Sequence, residues 1–432
     1  MQTSLRAISN KAKDHPGHRF QNLFGLLNTP NLIDCYHRLR RNAAPGADGV
    51  DVDLYGQALI YNVEDLVHRL KSGSYRAKLI KRVYIPKANG KLRPLGLPAT
   101  EDKLLQMAAA RVLQAVFEPV FLSYSYGYRP GVGAHHAVEY LKKALRTRGI
   151  HWVVEADIKG FFDNIDHEWL LRMLRLHIDD EAFIALIRKW LKAGVLDIPG
   201  QILHPEQGSP QGGVISPILA NIYLHYVLDL WFEKVVRKHS RRRAILIRYA
   251  DDFVVGFYDL TDARRFFKVL GKRLAKFGLQ LAQDKTRLLR FGKNGGSLNQ
   301  SFDFLGFTFR WERSRKGLPI VSAIMSKKNF HAALRRLKDW LKANRFLKLP
   351  ILMAALGLKL RGLYRYYGLY RNFSRLETLA HHLKWMLFKW LNRRSQRRSY
   401  TLKRFFSMLT RHPLPRPRLI KNLSPRRPYV PA

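Results

Sequence analysis

Apolar positions along the chain follow two periods, and the switches between them mark its parts. Residues 31–41, 63–70, 101–120 and 135–146 repeat apolar positions every three or four residues, which predicts helices with one buried face. Between the second and third, RVYIP and KLRPLGLP flank Lys87-Ala88-Asn89-Gly90, and the Asn-Gly pair predicts a hairpin. NAAPGADGVD and SYSYGYRPGVG are turn-rich and predict loops. From residue 152 the period becomes that of strands. WVVEADI carries Asp157 at its end, Gly160-Phe161-Phe162 turns the chain, and Asp166 is placed to cap a helix from His167. The loop QGSPQGGVISP opens into an apolar helix over 218–232. AILIRYADDFVVGF predicts a hairpin with Ala250, Asp251 and Asp252 at its turn. A helix over 262–277, the segment FGLQLAQDKTRLL and the aromatic hairpin FDFLGFTF follow, with strands ending near Val321.

The last quarter returns to the helical period. Phe330, Leu334, Leu337 and Leu341 mark one face, and Lys327, Arg335, Arg336 and Lys342 the other. Ser374 and Glu377 have the spacing of a capping box for a helix whose stripe is Leu379, Leu383, Met386, Trp390 and Leu391. From Ser326 to Ala432 there are 27 Lys and Arg and two acids, Asp339 and Glu377. This quarter is an electrostatic arm suited to phosphates. The tail from Pro413 is too rich in proline to form one regular element.

Composition narrows the function. With 432 residues, 47% hydrophobic, the chain can bury a large core in two or three domains. Its net charge of +45 points to a polyanion. An anionic membrane surface competes with nucleic acid, but the polar N-terminus and the lack of a long apolar run favour nucleic acid in a soluble intracellular protein. The single cysteine, Cys35, excludes a disulfide framework and a Cys-rich zinc site. The adjacent pairs His135-His136 and His381-His382 lack helical metal-site spacing and read as surface or RNA-facing residues. No Walker-type phosphate loop occurs, which excludes the usual NTPases.

Carboxylates at strand ends and turns are common, so an Asp-Asp pair alone says little. Asp157, Asp251 and Asp252 become informative through their order: an acid ending one strand, then QGGVISP, then an acid pair at a hairpin tip. Three carboxylates converging on neighbouring strands would suit two-metal phosphoryl transfer. Tyr249-Ala250-Asp251-Asp252, DIKGFFD and QGGVISP together resemble the reverse transcriptases encoded by bacterial group II introns, in the type without a C-terminal nuclease domain. The resemblance covers nearly the whole chain: NAAPGADGVD is similar to the family's N-terminal extension, IPKANGKLRPLGLP and YGYRPG to its fingers, FGLQLAQDKT and FDFLGF to its palm end, and RGLYRYYGLYRN to its thumb and maturase region.

The resemblance implies an α+β right-hand polymerase: N-terminal extension and fingers over 1–150, palm over 151–321, helical thumb and maturase domain over 322–392, and a basic tail over 393–432 that holds DNA or RNA. It implies Asp157, Asp251 and Asp252 as catalytic residues, with Ile158 also at the metals, and two Mg²⁺ ions for which Mn²⁺ can substitute. For the incoming dNTP it implies Lys87, Arg93, Phe162, Gln211, Gly212 and Lys285. Lys87 and Arg93 would hold the triphosphate. Phe162 would exclude a 2′-hydroxyl, Gln211 and Gly212 would approach the substrate from below, and Lys285 would protonate pyrophosphate. Phe304, Leu305 and Gly306 would grip the primer. Arg361, Tyr364, Arg365, Tyr367 and Arg371 would bind RNA, although a helical core with snorkelling arginines accounts equally well for some of them.

The implied partners are group II intron RNA, an RNA template, a DNA primer or target and dNTPs, with no membrane; oligomeric state stays open. The implied setting is the bacterial cytoplasm, at the nucleoid. Two alternatives stand beside it: a non-intron reverse transcriptase of the retron, diversity-generating or phage-defence type, and a non-catalytic RNA-binding maturase. With one cysteine and no Cys/His ligand cluster, the chain is expected to lack second-strand cleavage.

Overall fold

The computed structural model describes residues 2–86, 92–196, 202–203, 207–208, 212–294, 300–314, 316–394 and 399–420. Helices α1 (Gln2–Asp14), α2 (Thr29–Arg38), α3 (Val52–Gly56) and α4 (Leu59–Lys71) open the chain. The Asn28 side chain caps α2 and that of Asp51 caps α3. The expected hairpin follows as β1 (Ile80–Pro86) and β2 (Leu92–Leu97), its turn lying outside the described residues. Helix α5 (Thr100–Phe117) is almost entirely buried, its apolar residues packed and its buried Glu101, Asp102 and Lys103 hydrogen-bonded to Arg69, Tyr75 and Ala44 O. Helix α6 (Ala134–Thr147) leads to β3 (Trp152–Ala156), then α7 (His167–Arg175) and α8 (Glu181–Leu191). Asp166 caps α7 as expected, accepting from the Trp169 amide at 2.8 Å. Short strands β4 (Val195–Leu196) and β5 (Ile202–Leu203) extend the fingers sheet, whose order is β2-β1-β4-β5.

The apolar helix predicted over 218–232 runs further and is not uniform. Helix α9 (Ser216–Leu224) passes into two wider π-type turns, His225–Asp229 and Phe232–Val236, and closes on α10 (Arg237–His239). Strands β6 (Ala244–Tyr249) and β7 (Asp252–Phe257) form the acid hairpin, α11 (Leu260–Ala275) crosses behind it, and β8 (Arg287–Arg290) completes a palm sheet of order β6-β7-β3-β8. A third sheet, β11-β10-β9, contains β9 (Phe302–Phe304), β10 (Phe307–Arg313) and β11 (Pro319–Met325). The boundary expected at 321 therefore falls inside β11; the strand runs on to Met325 because it pairs with β10 along its whole length. Among the described residues four helices follow: α12 (Lys327–Asn344), α13 (Leu349–Tyr367), α14 (Phe373–Leu391) and α15 (Leu402–Arg411).

Strand alternation divides the core in two. In the palm sheet Val154, Leu246, Phe253 and Val255 face the helices of the N-terminal half, while Val153, Ile245, Ile247 and Val254 face α6 and the C-terminal helices. Both faces are covered, so the strands read as continuous apolar runs. The sheet is clamped from both sides, and its end carries the acids. Among the described residues no helix is long and apolar enough to cross a membrane.

Candidate active site

Antiparallel pairing sets the geometry of the acids. Ala156 of β3 pairs with Phe253 of β7, so the register continued by one residue sets Asp157 opposite Asp252. Tyr249 pairs with Asp252 across the hairpin, which leaves a turn of only Ala250 and Asp251. Ala250 takes a left-handed conformation, φ 55°, an uncommon one for a residue with a Cβ. Its amide is approached so closely by Gly127 that a Cβ on that glycine would collide with it. The Tyr/Gly-rich loop thus lies along the edge of β6, with the Tyr126 amide donating to Arg248 O and the Arg248 amide to Tyr124 O, both at 2.9 Å.

Beneath the turn lies a fully buried polar network. Arg248 donates to both oxygens of Asp229, at 2.8 and 2.6 Å, to Asn221 Oδ1 at 2.9 Å and to the Ala250 carbonyl at 3.1 Å. Asn221 in turn donates to Gly127 O at 2.7 Å. Arg248 and Asp229 are both 0% exposed, and the four hydrogen bonds of the guanidinium offset the cost of burying the pair. It fixes the hairpin tip to the helix behind it.

The electrostatics are those of crowded carboxylates. Burial, then the charge of Asp157, holds Asp251 above the ordinary carboxylate range. Asp252 is pushed up to about 6 by burial and by the charges of Asp251 and Asp157, with Lys285 acting against them. The Lys285 ammonium pairs directly with Asp157, and this contact raises its own pKa. Among the described residues no three His, Cys, Asp or Glu side chains close on one point as a preformed cage does. The donor chemistry nonetheless fits a hard divalent cation, because adjacent carboxylate oxygens resist ionising together until a positive charge lies between them.

The family model described as "Reverse transcriptase (RNA-dependent DNA polymerase)" matches residues 85–309, more than half of the chain. The chain belongs to that family. A second model, "Group II intron, maturase-specific domain", matches residues 330–406. Protein YkfC of Escherichia coli K12 is 34% identical over 77% of this chain and 95% of its own length. The group II intron-encoded protein LtrA of Lactococcus lactis is 28% identical over 89% of this chain and 76% of its own. A truncated apo telomerase from Candida tropicalis aligns with 54% of this chain and 53% of its own, at 17% identity and a TM-score of 0.43. This is a group II intron reverse transcriptase with a maturase domain, and that domain implies binding of intron RNA. The polymerase family implies metal-dependent catalysis.

The residues expected around the acids of the reverse transcriptase are partly gathered. Arg93, exposed on β2, is near enough to Asp251 to lower its pKa. Phe162 is half-buried against Phe161, their ring centroids 5.3 Å apart, just beyond a left-handed Gly160. Gly212 has φ 115° and abuts the fingers, where a Cβ would strike Gly96 O. The Val214 amide donates to Gln106 Oε1 of α5 at 3.0 Å, which pins the same loop. Ile158 is buried and bridges Leu281. Lys87 and Gln211 lie outside the described residues.

The expected primer-grip turn is held by thumb helices. Leu305 and Gly306 are both left-handed, at φ 51° and 79°. Tyr366 of α13 donates its hydroxyl to Leu305 O at 3.0 Å, the Ser326 amide donates to Gly306 O at 3.1 Å, and Phe304 is buried below. His135, expected at the surface or facing RNA, is half-buried, its Nε2 2.7 Å from Tyr366 O.

The expected RNA-binding group divides. Arg361 and Arg365 are exposed on α13. Tyr364 and Tyr367 are buried in the thumb core, so neither presents a ring face to RNA; they pack because positions 360, 364 and 367 share one helix face. Arg371 donates to Glu312 at 3.2 Å and to Arg313 O at 3.1 Å, tying the thumb to β10. Tyr370, by contrast, is 66% exposed. Arg248 was visible as a charge inside an apolar strand run, a signal of a buried pair, but nothing local identified Asp229 or Asn221 as its partners.

Proposed function

We propose that Asp157, Asp251 and Asp252 are the metal-binding carboxylates of an RNA-directed DNA polymerase that adds dNTPs to a primer on an RNA template, with Ile158 beside them. The observation that carries this reading is the antiparallel pairing of β3 with β7, whose register, continued one residue past β3, sets Asp157 opposite Asp252, with Asp251 in the turn between β6 and β7. Two Mg²⁺ ions, or Mn²⁺ in their place, would lower the pKa of the primer 3′-hydroxyl and offset charge on the leaving pyrophosphate. Lys285 releases Asp157 as the site fills and then stands beside the pyrophosphate, able to give it a proton. Arg93, with Lys87, holds the triphosphate; Gln211 and Gly212 line its lower side; Phe162 lies where a 2′-hydroxyl would clash. The turn 304–306, braced by Tyr366, sets the primer end.

The same chain serves as a splicing maturase for retrohoming, holding its intron RNA through exposed cations of the thumb such as Arg361 and Arg365, in the bacterial cytoplasm at the nucleoid. The tail 393–432 adds cations for the DNA target. The test is primer extension on an RNA template with dNTPs and Mg²⁺. Asp251→Ala is expected to extend at least about a thousandfold more slowly while still retaining intron RNA. Undiminished extension by that variant would remove Asp251 from the chemistry.

A further inference from the structure

The chain's last described segment crosses the thumb. Residues 413–420, after α15, lie over α13 and α14, and the Ile420 amide donates to Gly368 O at 2.7 Å. Between this strap and the two helices is a cleft of about 650 Å³, within the range of small-molecule sites. Leu360, Ala380, Leu409 and Pro415 form apolar walls.

Three polar features mark the cleft. The Tyr364 hydroxyl is buried on its wall without a hydrogen-bond partner among the described residues, which is costly unless something in the cleft meets it. Glu377 is expected from the sequence to cap α14, but the helix starts at Phe373 with Asn372 as its cap residue, and Asn372 bonds instead to Met325 and Ala323. Glu377 is left exposed on the cleft wall, without an ion pair among the described residues despite its cationic surroundings. His381 accepts from Trp385 Nε1 at 3.0 Å through Nε2, so its other ring nitrogen carries a proton. Lys384 and Arg416 complete the lining.

A lone carboxylate on a phosphate-binding surface is repelled by an RNA backbone but attracted by the N–H edge of a base. Splayed-out, unpaired bases are what proteins read in this way. Guanine alone among the four shows two adjacent N–H donors, which match the two oxygens of a carboxylate. We propose that this cleft receives one unpaired guanosine nucleotide of the bound RNA, its N1–H and N2–H donating to Glu377 and its phosphate held by Lys384 and Arg416. The proposal rests on the maturase reading of the same domain.

Photocrosslinking the full chain with 6-thioguanosine monophosphate, whose N1–H and N2–H are intact, tests it. Label is expected on α13, α14 or the 413–420 segment, competed about tenfold better by GMP than by AMP or CMP, with inosine monophosphate between them. Glu377→Gln should cut labelling about tenfold while leaving primer extension on an unrelated template unchanged, and Ala380→Trp, which fills the cleft, should remove it. Label elsewhere, equal competition by all nucleotides, or wild-type labelling of Glu377→Gln would overturn the proposal. Intron-RNA retention by the same protein reads the maturase function separately: RNA retained without label in the cleft overturns the pocket alone, and loss of both overturns the two together.

Discussion

The palm and the thumb place charge in opposite ways. In the palm, Arg248 and Asp229 are removed from water and the guanidinium makes four hydrogen bonds, one of them to the Ala250 carbonyl, so the acid turn above them is held in place. In the thumb, Arg361 and Arg365 stand in solvent while Tyr364 and Tyr367 fill the interior. Chemistry on a phosphate needs carboxylates placed to fractions of an ångström, which a buried network supplies. A long RNA needs charge density, and exposed cations meet that at little cost to folding. Rigidity and charge are thus supplied by different parts of one chain.

The sharpest way to break this contrast is to open the palm network. Asp229→Ala strands a buried guanidinium and is expected to cost about 3–5 kcal/mol in thermal or urea unfolding. Arg248→Met with Asp229→Leu should recover most of that stability but not the rate of primer extension, because nothing then holds the Ala250 carbonyl. A double variant with normal extension would show that the turn is placed by its own backbone.

The matching change in the thumb is milder. Arg361→Ala with Arg365→Ala should leave stability within about 0.5 kcal/mol, and should lower the slope of log affinity for intron RNA against log salt by about 2. An unchanged slope would move the RNA path off this face of α13.

The effect of pH on stability is smaller than that of opening the palm network. Asp252 has a folded pKa of about 6 against an ordinary 3.8, so the folded protein binds its proton more tightly than the unfolded chain does. The metal-free protein should therefore gain stability as pH falls from above 6 towards 4, and Asp252→Asn should be more stable than the parent at neutral pH. Because Asp252, at the first position of β7, still reaches solvent on one side, about 1 kcal/mol is expected, less than the shift alone would give. Equal melting of the two proteins at pH 7 would place the carboxylate in an ordinary aqueous setting.

Much of this organisation was legible in the residues. Alternation around Asp251 and Asp252 predicted their hairpin, and the strand ending at Asp157 was read within a residue, because both follow from local period. What escaped depends on distant contacts. Ser374 and Glu377 have capping spacing, yet α14 starts before them, since Asn372 is held by β11. Tyr364 and Tyr367 look like stacking residues in sequence, but α13 turns them inward. The partners of Arg248 lie 19 and 27 residues away, on a helix whose irregularity no periodicity announces.

That irregularity has a consequence in helical phase. Asn221 and Asp229 are eight residues apart, and at about 100° per residue a regular helix would set them roughly 80° out of line. The π-type turn at His225–Asp229 absorbs one extra residue, so the two side chains fall on one stripe and meet the same guanidinium. A substitution that closed that turn into regular α-geometry, with no residue removed, would leave the composition of the helix almost unchanged while setting the two side chains roughly 80° apart. Asp229 would then rotate away from Arg248, and the acid turn would lose its support from a change more than 20 residues earlier in the chain, whereas deleting the extra residue outright would keep Asn221 and Asp229 within about 20° of one line.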